Sequence, residues 1–77
     1  MNKILFFAGL REVVGKEEVK WDAAGLTVAD VKQKVYSEYK NDQIQSSMIA
    51  VNEEFVRNDR TIEEGDTIAF IPPVSGG

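Results

Sequence analysis

The chain has 77 residues, 43% of them hydrophobic and 29% charged, which is enough for one folded domain with one modest core and too little for a large enclosed active site. It has neither cysteine nor histidine, which excludes disulfides and thiolate metal sites and removes the commonest general base and zinc ligands, so catalysis by the chain alone is not expected. A formal net charge of −4 argues against nucleic acid, whose phosphates this surface would repel, and favours a protein partner with a basic patch.

Residues 3–8 (KILFFA) join β-branched and aromatic side chains and read as a strand, with Ile4 and Phe6 on one face and Leu5 and Phe7 on the other. The longest apolar run, residues 4–10, is far too short to span a bilayer, and no charged leader with a cleavage site is present, so the cytoplasm is the expected location. Residues 9–15 (GLREVVG) are bracketed by glycines and hold Leu10, Val13 and Val14 at helical spacing; they form either one short helical turn or a wide hairpin loop. Residues 17–22 (EEVKWD) alternate, Val19 and Trp21 against Glu18 and Lys20, as a half-buried strand paired antiparallel with the first.

Thr27 followed by Asp30 at the third helical position predicts a helix start, and Val28, Val31, Val35 and Tyr39 continue it at helical spacing, with Leu26 stapling the entry. Asp30 and Lys34 stand four apart in the favourable order for an ion pair. Asn41 and Asp42 end this one long helix, and a polar loop with at most one helical turn around Ile44 follows. Residues 48–51 (MIAV) read as a strand, joined through Asn52, Glu53 and Glu54 to Phe55 and Val56 in a small hairpin. Residues 57–60 are polar and exposed. Gly65 supplies the positive φ of a turn, and residues 67–71 (TIAFI) form the last strand, with Ile68 and Phe70 on one face and Ala69 and Ile71 on the other. Glu63, Glu64 and Asp66 fall in one turn without the spacing of a calcium loop and read as a solvated acidic turn. The order predicts an α+β domain over residues 1–71, a mixed sheet with one main helix packed across one face.

Residues 72–77 (PPVSGG) are a different kind of segment. Pro72 and Pro73 cannot continue a ladder through Phe70 and Ile71, so the tail leaves the body extended. At roughly 3.3 Å per residue the segment reaches on the order of 20 Å, enough to enter another protein's active site. Gly76 and Gly77 lack a β-carbon, so a carboxylate on Gly77 passes where no other residue fits. With so little apolar surface to bury, the tail is expected to be loose in the free chain.

Ile4-Leu5-Phe6-Phe7-Ala8, Arg11-Glu12, Val14-Gly15, Ala50-Val51-Asn52, Gly65-Asp66, Ala69-Phe70 and the ending Pro72-Pro73-Val74-Ser75-Gly76-Gly77 together resemble the small subunit of molybdopterin synthase, from one end of the chain to the other. The resemblance implies a β-grasp (ubiquitin-like) fold carrying a flexible Gly-Gly tail. It also implies a sulfur carrier. An E1-like activating enzyme adenylates the carboxylate of Gly77 with ATP, a sulfur donor converts it to a thiocarboxylate, and the large synthase subunit uses that sulfur for the dithiolene of molybdopterin. No cofactor bound to the chain itself is implied, and the assembled state is a heterotetramer with two large subunits.

The resemblance further implies that both partners dock on an apolar patch on the open face of the sheet. The matching positions are Phe7, Phe55 and Ile71, the last standing where the family often has an aromatic, and Arg11 matches a position that forms a salt bridge to the partner. Alternation supports two of these independently, because Phe7 and Ile71 fall opposite Ile4, Phe6, Ile68 and Phe70. Two other readings stay open at this point: a carrier for thiamine synthesis or tRNA thiolation, and a ubiquitin-like binding module with an inert tail. The double proline and the Phe-Phe-Ala opening favour molybdopterin, and loss of function on deleting Gly77 separates a carrier from a binding module.

Overall fold

The computed structural model describes residues 1–73; Val74, Ser75, Gly76 and Gly77, and with them the expectation of a loose tail, lie outside the described residues. Strand β1 (Asn2–Phe6) leads into the short helix α1 (Gly9–Val14) and returns as β2 (Glu18–Trp21). Helix α2 (Val28–Tyr39) and the single-turn α3 (Asp42–Ser46) follow, then β3 (Met48–Val51), β4 (Glu54–Phe55) and β5 (Thr67–Ile71). The five strands form one sheet in the order β2-β1-β5-β3-β4. Its central pair, β1 and β5, is parallel, and the other three pairs are antiparallel. This is the β-grasp, ubiquitin-like arrangement.

Alternation decides the core. Ile4, Phe6, Ile49, Val51, Ile68 and Phe70 are all buried with Val28, Val31 and Val35 of α2, Leu10 and Val14 of α1, and Ile44 of α3. At the centre the Phe6 ring lies 5.7 Å from Phe70 and meets Tyr39 edge-on at 6.2 Å, the geometry that aromatic quadrupoles favour. Residues 9–15 resolve into the short helix. Leu10 and Val14 anchor it, and Gly15 closes it in the left-handed region at φ 80°, its N–H donating to the Arg11 carbonyl.

The start of α2 is a reciprocal cap. Asp30 N–H donates to Thr27 Oγ1 at 3.2 Å, and Thr27 N–H donates to Asp30 Oδ2 at 3.0 Å, so the shorter Asp serves where Glu or Gln is usual. That use of Asp30 overturns the expected ion pair with Lys34, whose ammonium instead lies 5.6 Å from the centre of the Trp21 ring and fastens the helix to the edge strand β2. The segment 57–60 is more than a solvated loop. The carbonyls of Arg60 and Asn58 accept from the N–H groups of Val28 and Ala29, both at 2.9 Å, which satisfies two donors the helix cannot pair internally.

The β3–β4 hairpin turns at Asn52 and Glu53, with φ of 52° and 72°, the double positive φ of a primed turn. Asn52 is held there from both sides. Its Nδ2 donates to Asp66 Oδ1 at 2.8 Å and its Oδ1 accepts from Thr67 N–H at 2.9 Å. The Asp66 carboxylate also accepts from Glu63 N–H at 2.9 Å. The Glu63 backbone donor and then Asn52 hold its pKa below the usual 3.8. Because the folded value is depressed, the stabilisation is complete above the unfolded value near 3.9 and is lost as pH falls through the lower folded value. Urea melts at about pH 5 and about pH 3 should therefore show a smaller acid loss for Asp66→Asn than for wild type; equal losses would assign the acid limb to other carboxylates. Among the described residues no helix is long and apolar enough to cross a membrane.

Candidate functional site

The face of the sheet opposite the helices is built by register. Leu5 pairs with Ala69, Ala69 with Ala50, and Ala50 with Phe55, so these four side chains form one cross-strand row on the open face. The next row towards the tail brings Ile71 beside Met48. Phe7 reaches it by extending the central ladder one step past β1, its N–H donating to the Phe70 carbonyl at 3.2 Å. Phe55 is 67% exposed, Met48 45% and Phe7 37%, whereas Leu5, Ala69 and Ile71 are half-buried. A contiguous apolar surface of this kind on a charged 77-residue chain is what a protein partner covers.

Phe7, Phe55 and Ile71 are thus brought together on one face, and the structure adds Met48, which the sequence reading did not single out. The run MIAV is apolar throughout, so its periodicity does not say which side chain faces out. Only the pairing of Met48 with Ile71 decides it.

The tail root lies at the same end. Ile71 closes β5, Pro72 is half-buried, Pro73 is exposed, and a shallow hollow of about 380 Å³ is lined by these prolines with Ala8, Gly9 and Gln43. Ala8 turns the chain sharply out of β1 at φ 52°, ψ −133°, a conformation that costs a non-glycine residue about 1–3 kcal/mol. The turn is fixed by Leu10 N–H donating to the Phe7 carbonyl and Arg11 N–H to that of Ala8, both at 3.1 Å. The tail residues themselves (Val74, Ser75, Gly76 and Gly77) are outside the described part.

Arg11 is engaged within the chain. Its Nε donates to the Phe6 carbonyl at 3.3 Å and its Nη1 lies 3.7 Å from Glu17 Oε1. Both side chains of this ion pair are at least half exposed, so it adds little stability. In the acidic turn Asp66 serves as the brace described above, and Glu64 pairs with the Met1 ammonium.

The ThiS family model matches residues 4–77. The molybdopterin synthase sulfur carrier subunit of Escherichia coli (strain K12) is 35% identical over 81 residues, covering 100% of both chains. That of Dictyostelium discoideum is 34% identical over 82 residues, covering 97% of this chain and 94% of the relative. Among solved structures, the solution structure of the small archaeal modifier protein 1 from Methanosarcina acetivorans superposes with a TM-score of 0.81 at 25% identity, over 99% of this chain and 95% of that one. The complex of subunits 1 and 2 of the molybdopterin-converting factor from Helicobacter pylori contains a chain of the same fold, with a TM-score of 0.73 at 20% identity over 99% and 97%.

Proposed function

This chain belongs to the ThiS family, and on that premise we propose that it is the sulfur carrier subunit of molybdopterin synthase. The match to carrier subunits over the whole chain is the observation that carries this reading. The chain does no catalysis alone: its substrate-bearing group is the carboxylate of Gly77. In the proposed sequence an E1-like enzyme lets that carboxylate attack the α-phosphate of ATP, expelling pyrophosphate and leaving an acyl adenylate. A sulfur donor then displaces AMP, and the resulting thiocarboxylate is a compact sulfur nucleophile that needs no cysteine. The large synthase subunit takes it up to build the dithiolene, in an assembly of two carriers and two large subunits in the cytoplasm.

The described residues supply the holder for that chemistry. Pro72 and Pro73 follow directly on the end of the central strand, and Phe7, Met48, Phe55 and Ile71 form the surface on which a partner rests. Arg11, half exposed and paired with Glu17, is the further residue that this reading places in the partner contact.

The test is the intact mass after incubation with ATP, the activating enzyme and a sulfur donor. A shift equal to exchange of one oxygen for one sulfur, localised to Gly77, is expected; no shift with an enzyme competent on another carrier would sink the reading. The docking face has its own test. Phe55 packs little in the free chain, so Phe55→Ala should leave the melting temperature nearly unchanged while weakening binding to the large subunit about tenfold or more, as loss of an aromatic anchor does. Unchanged affinity by titration calorimetry would remove Phe55 from the interface.

A further inference from the structure

Strands β1 and β5 run parallel and pair Phe6 with Phe70, and the Phe7 N–H carries the ladder one step further to the Phe70 carbonyl. Continuing that register sets Ala8 level with Pro72. There the ladder stops, because neither Pro72 nor Pro73 has an N–H to donate. With no donor of its own, the root of the tail takes its direction from what packs beside it. On the β1 side the side-chain atom at this level is the Ala8 β-carbon, and Ala8 lines one hollow of about 380 Å³ together with Gly9, Gln43 and both prolines.

Alanine is an unfavourable residue for that place. Residues 7–10 form a tight turn closed by the Leu10 N–H donating to the Phe7 carbonyl at 3.1 Å, with Ala8 at its first central position at φ 52°, ψ −133°. The geometry is close to type II′, which favours glycine there, and it strains any residue that has a β-carbon. A glycine stands one residue on, yet Gly9 does not take a positive φ, and a β-carbon added to it would meet Gln43 Oε1 at an ordinary 3.7 Å. Interchanging the two would suit the backbone at both positions. Ala8 is exposed, so burial in the core does not offset the strain. Strain kept where folding does not need it points to function.

We propose that Ala8 is a positioning residue for the tail: its β-carbon, held at a turn position that favours glycine, is the wall against which Pro72 and Pro73 set the heading of the chain towards Gly77. This deepens the carrier reading and rests on it. The docking face brings the carrier to the activating enzyme, and the Ala8 wall aims the carboxylate once it is there. Glycine at this position would relax the turn and remove the wall together.

The activating enzyme and ATP test it on three full-length chains: wild type, Ala8→Gly and Ala8→Ser. Initial rates of pyrophosphate release give kcat and KM for the carrier. Ala8→Gly should melt about 4 °C or more above wild type, because the turn is relieved. It should nevertheless lower kcat about tenfold at unchanged KM, because the docking face is intact and only the aim of the carboxylate is lost. Ala8→Ser keeps the β-carbon and should match wild type in both respects. A merely structural role predicts that rate follows stability, so a chain that is firmer and slower separates the two. The proposal would be overturned by Ala8→Gly melting below wild type, reacting as fast, or losing only in KM, and equally by Ala8→Ser losing as much as Ala8→Gly; wild-type turnover would keep the carrier reading in each case. No pyrophosphate release from wild type, with an enzyme competent on another carrier, would remove the carrier reading and the proposal with it.

Discussion

Removal of Gly77 is expected to abolish sulfur loading while leaving the melting temperature where it is. The shortened chain still ends in a glycine carboxylate, that of Gly76, so the chemistry of the group is unchanged and only its reach differs. One residue withdraws it by roughly 3.3 Å. A misplacement of even about 1 Å can cost on the order of 10²-fold in a positioned reaction, so intact-mass analysis should find no thiocarboxylate on the shortened chain under conditions that convert wild type fully. Stability should not follow. The buried core ends at Phe70 and the sheet at Ile71, six residues before Gly77. Gly77→Ala separates reach from width: it keeps the length, adds a β-carbon, and should load slowly rather than not at all. Full loading of the shortened chain would mean that the tail is not what the activating enzyme reads.

Asn2→Ala is expected to cause the largest stability loss of any single polar truncation. Asn2 is 1% exposed, and its side chain is fully committed. Nδ2 donates to the carbonyls of Glu63 at 2.8 Å and Asp66 at 3.0 Å, and Oδ1 accepts from Ala23 N–H at 3.0 Å. One amide thus ties the first strand to the β2–α2 connection and to the turn before β5. Alanine would leave the Ala23 N–H and the Asp66 carbonyl without the partners that Asn2 supplies, while the Glu63 carbonyl keeps the Asp66 N–H at 3.1 Å, at about 1–3 kcal/mol for each orphaned group that water cannot reach. A net loss of about 3 kcal/mol corresponds to a drop on the order of 15 °C for a domain of this size. Calorimetry decides it. A drop of less than about 5 °C would mean that water replaces the amide, and that the two loops hold themselves.

The faces of β1 and β5 were legible because KILFF and TIAFI place large apolar residues on both sides, and the alternation itself assigns Phe7 and Ile71 to the side away from Ile4 and Phe70. Thr27 and the valine spacing likewise identify α2. The roles of Asn2 and of segment 57–60 were not legible, for related reasons. An asparagine at a strand start looks solvated until the loops it bridges are in place. The carbonyls of Asn58 and Arg60 belong to the backbone, so no side-chain type announces that they cap a helix. Lys34 was misread because Asp30 can serve either Thr27, three residues before it, or Lys34, four after it, and the cap wins. Met48 depended on strand register, which an unbroken apolar run does not encode.

The central position of β5 has a bearing on biosynthesis. Of the described strands β1 is made first and β5 last, yet they are neighbours in the sheet, and among them β5 alone touches both β1 and β3. A nascent chain lacking Thr67–Ile71 can form the β1–β2 and β3–β4 hairpins but cannot join them, so the domain closes only after the ribosome has delivered its final strand. The segment that joins the sheet and the segment proposed to carry sulfur emerge together. An unfinished or internally truncated product therefore lacks the assembled open face, and if the activating enzyme proposed above reads that face, it acts only on molecules that have completed folding.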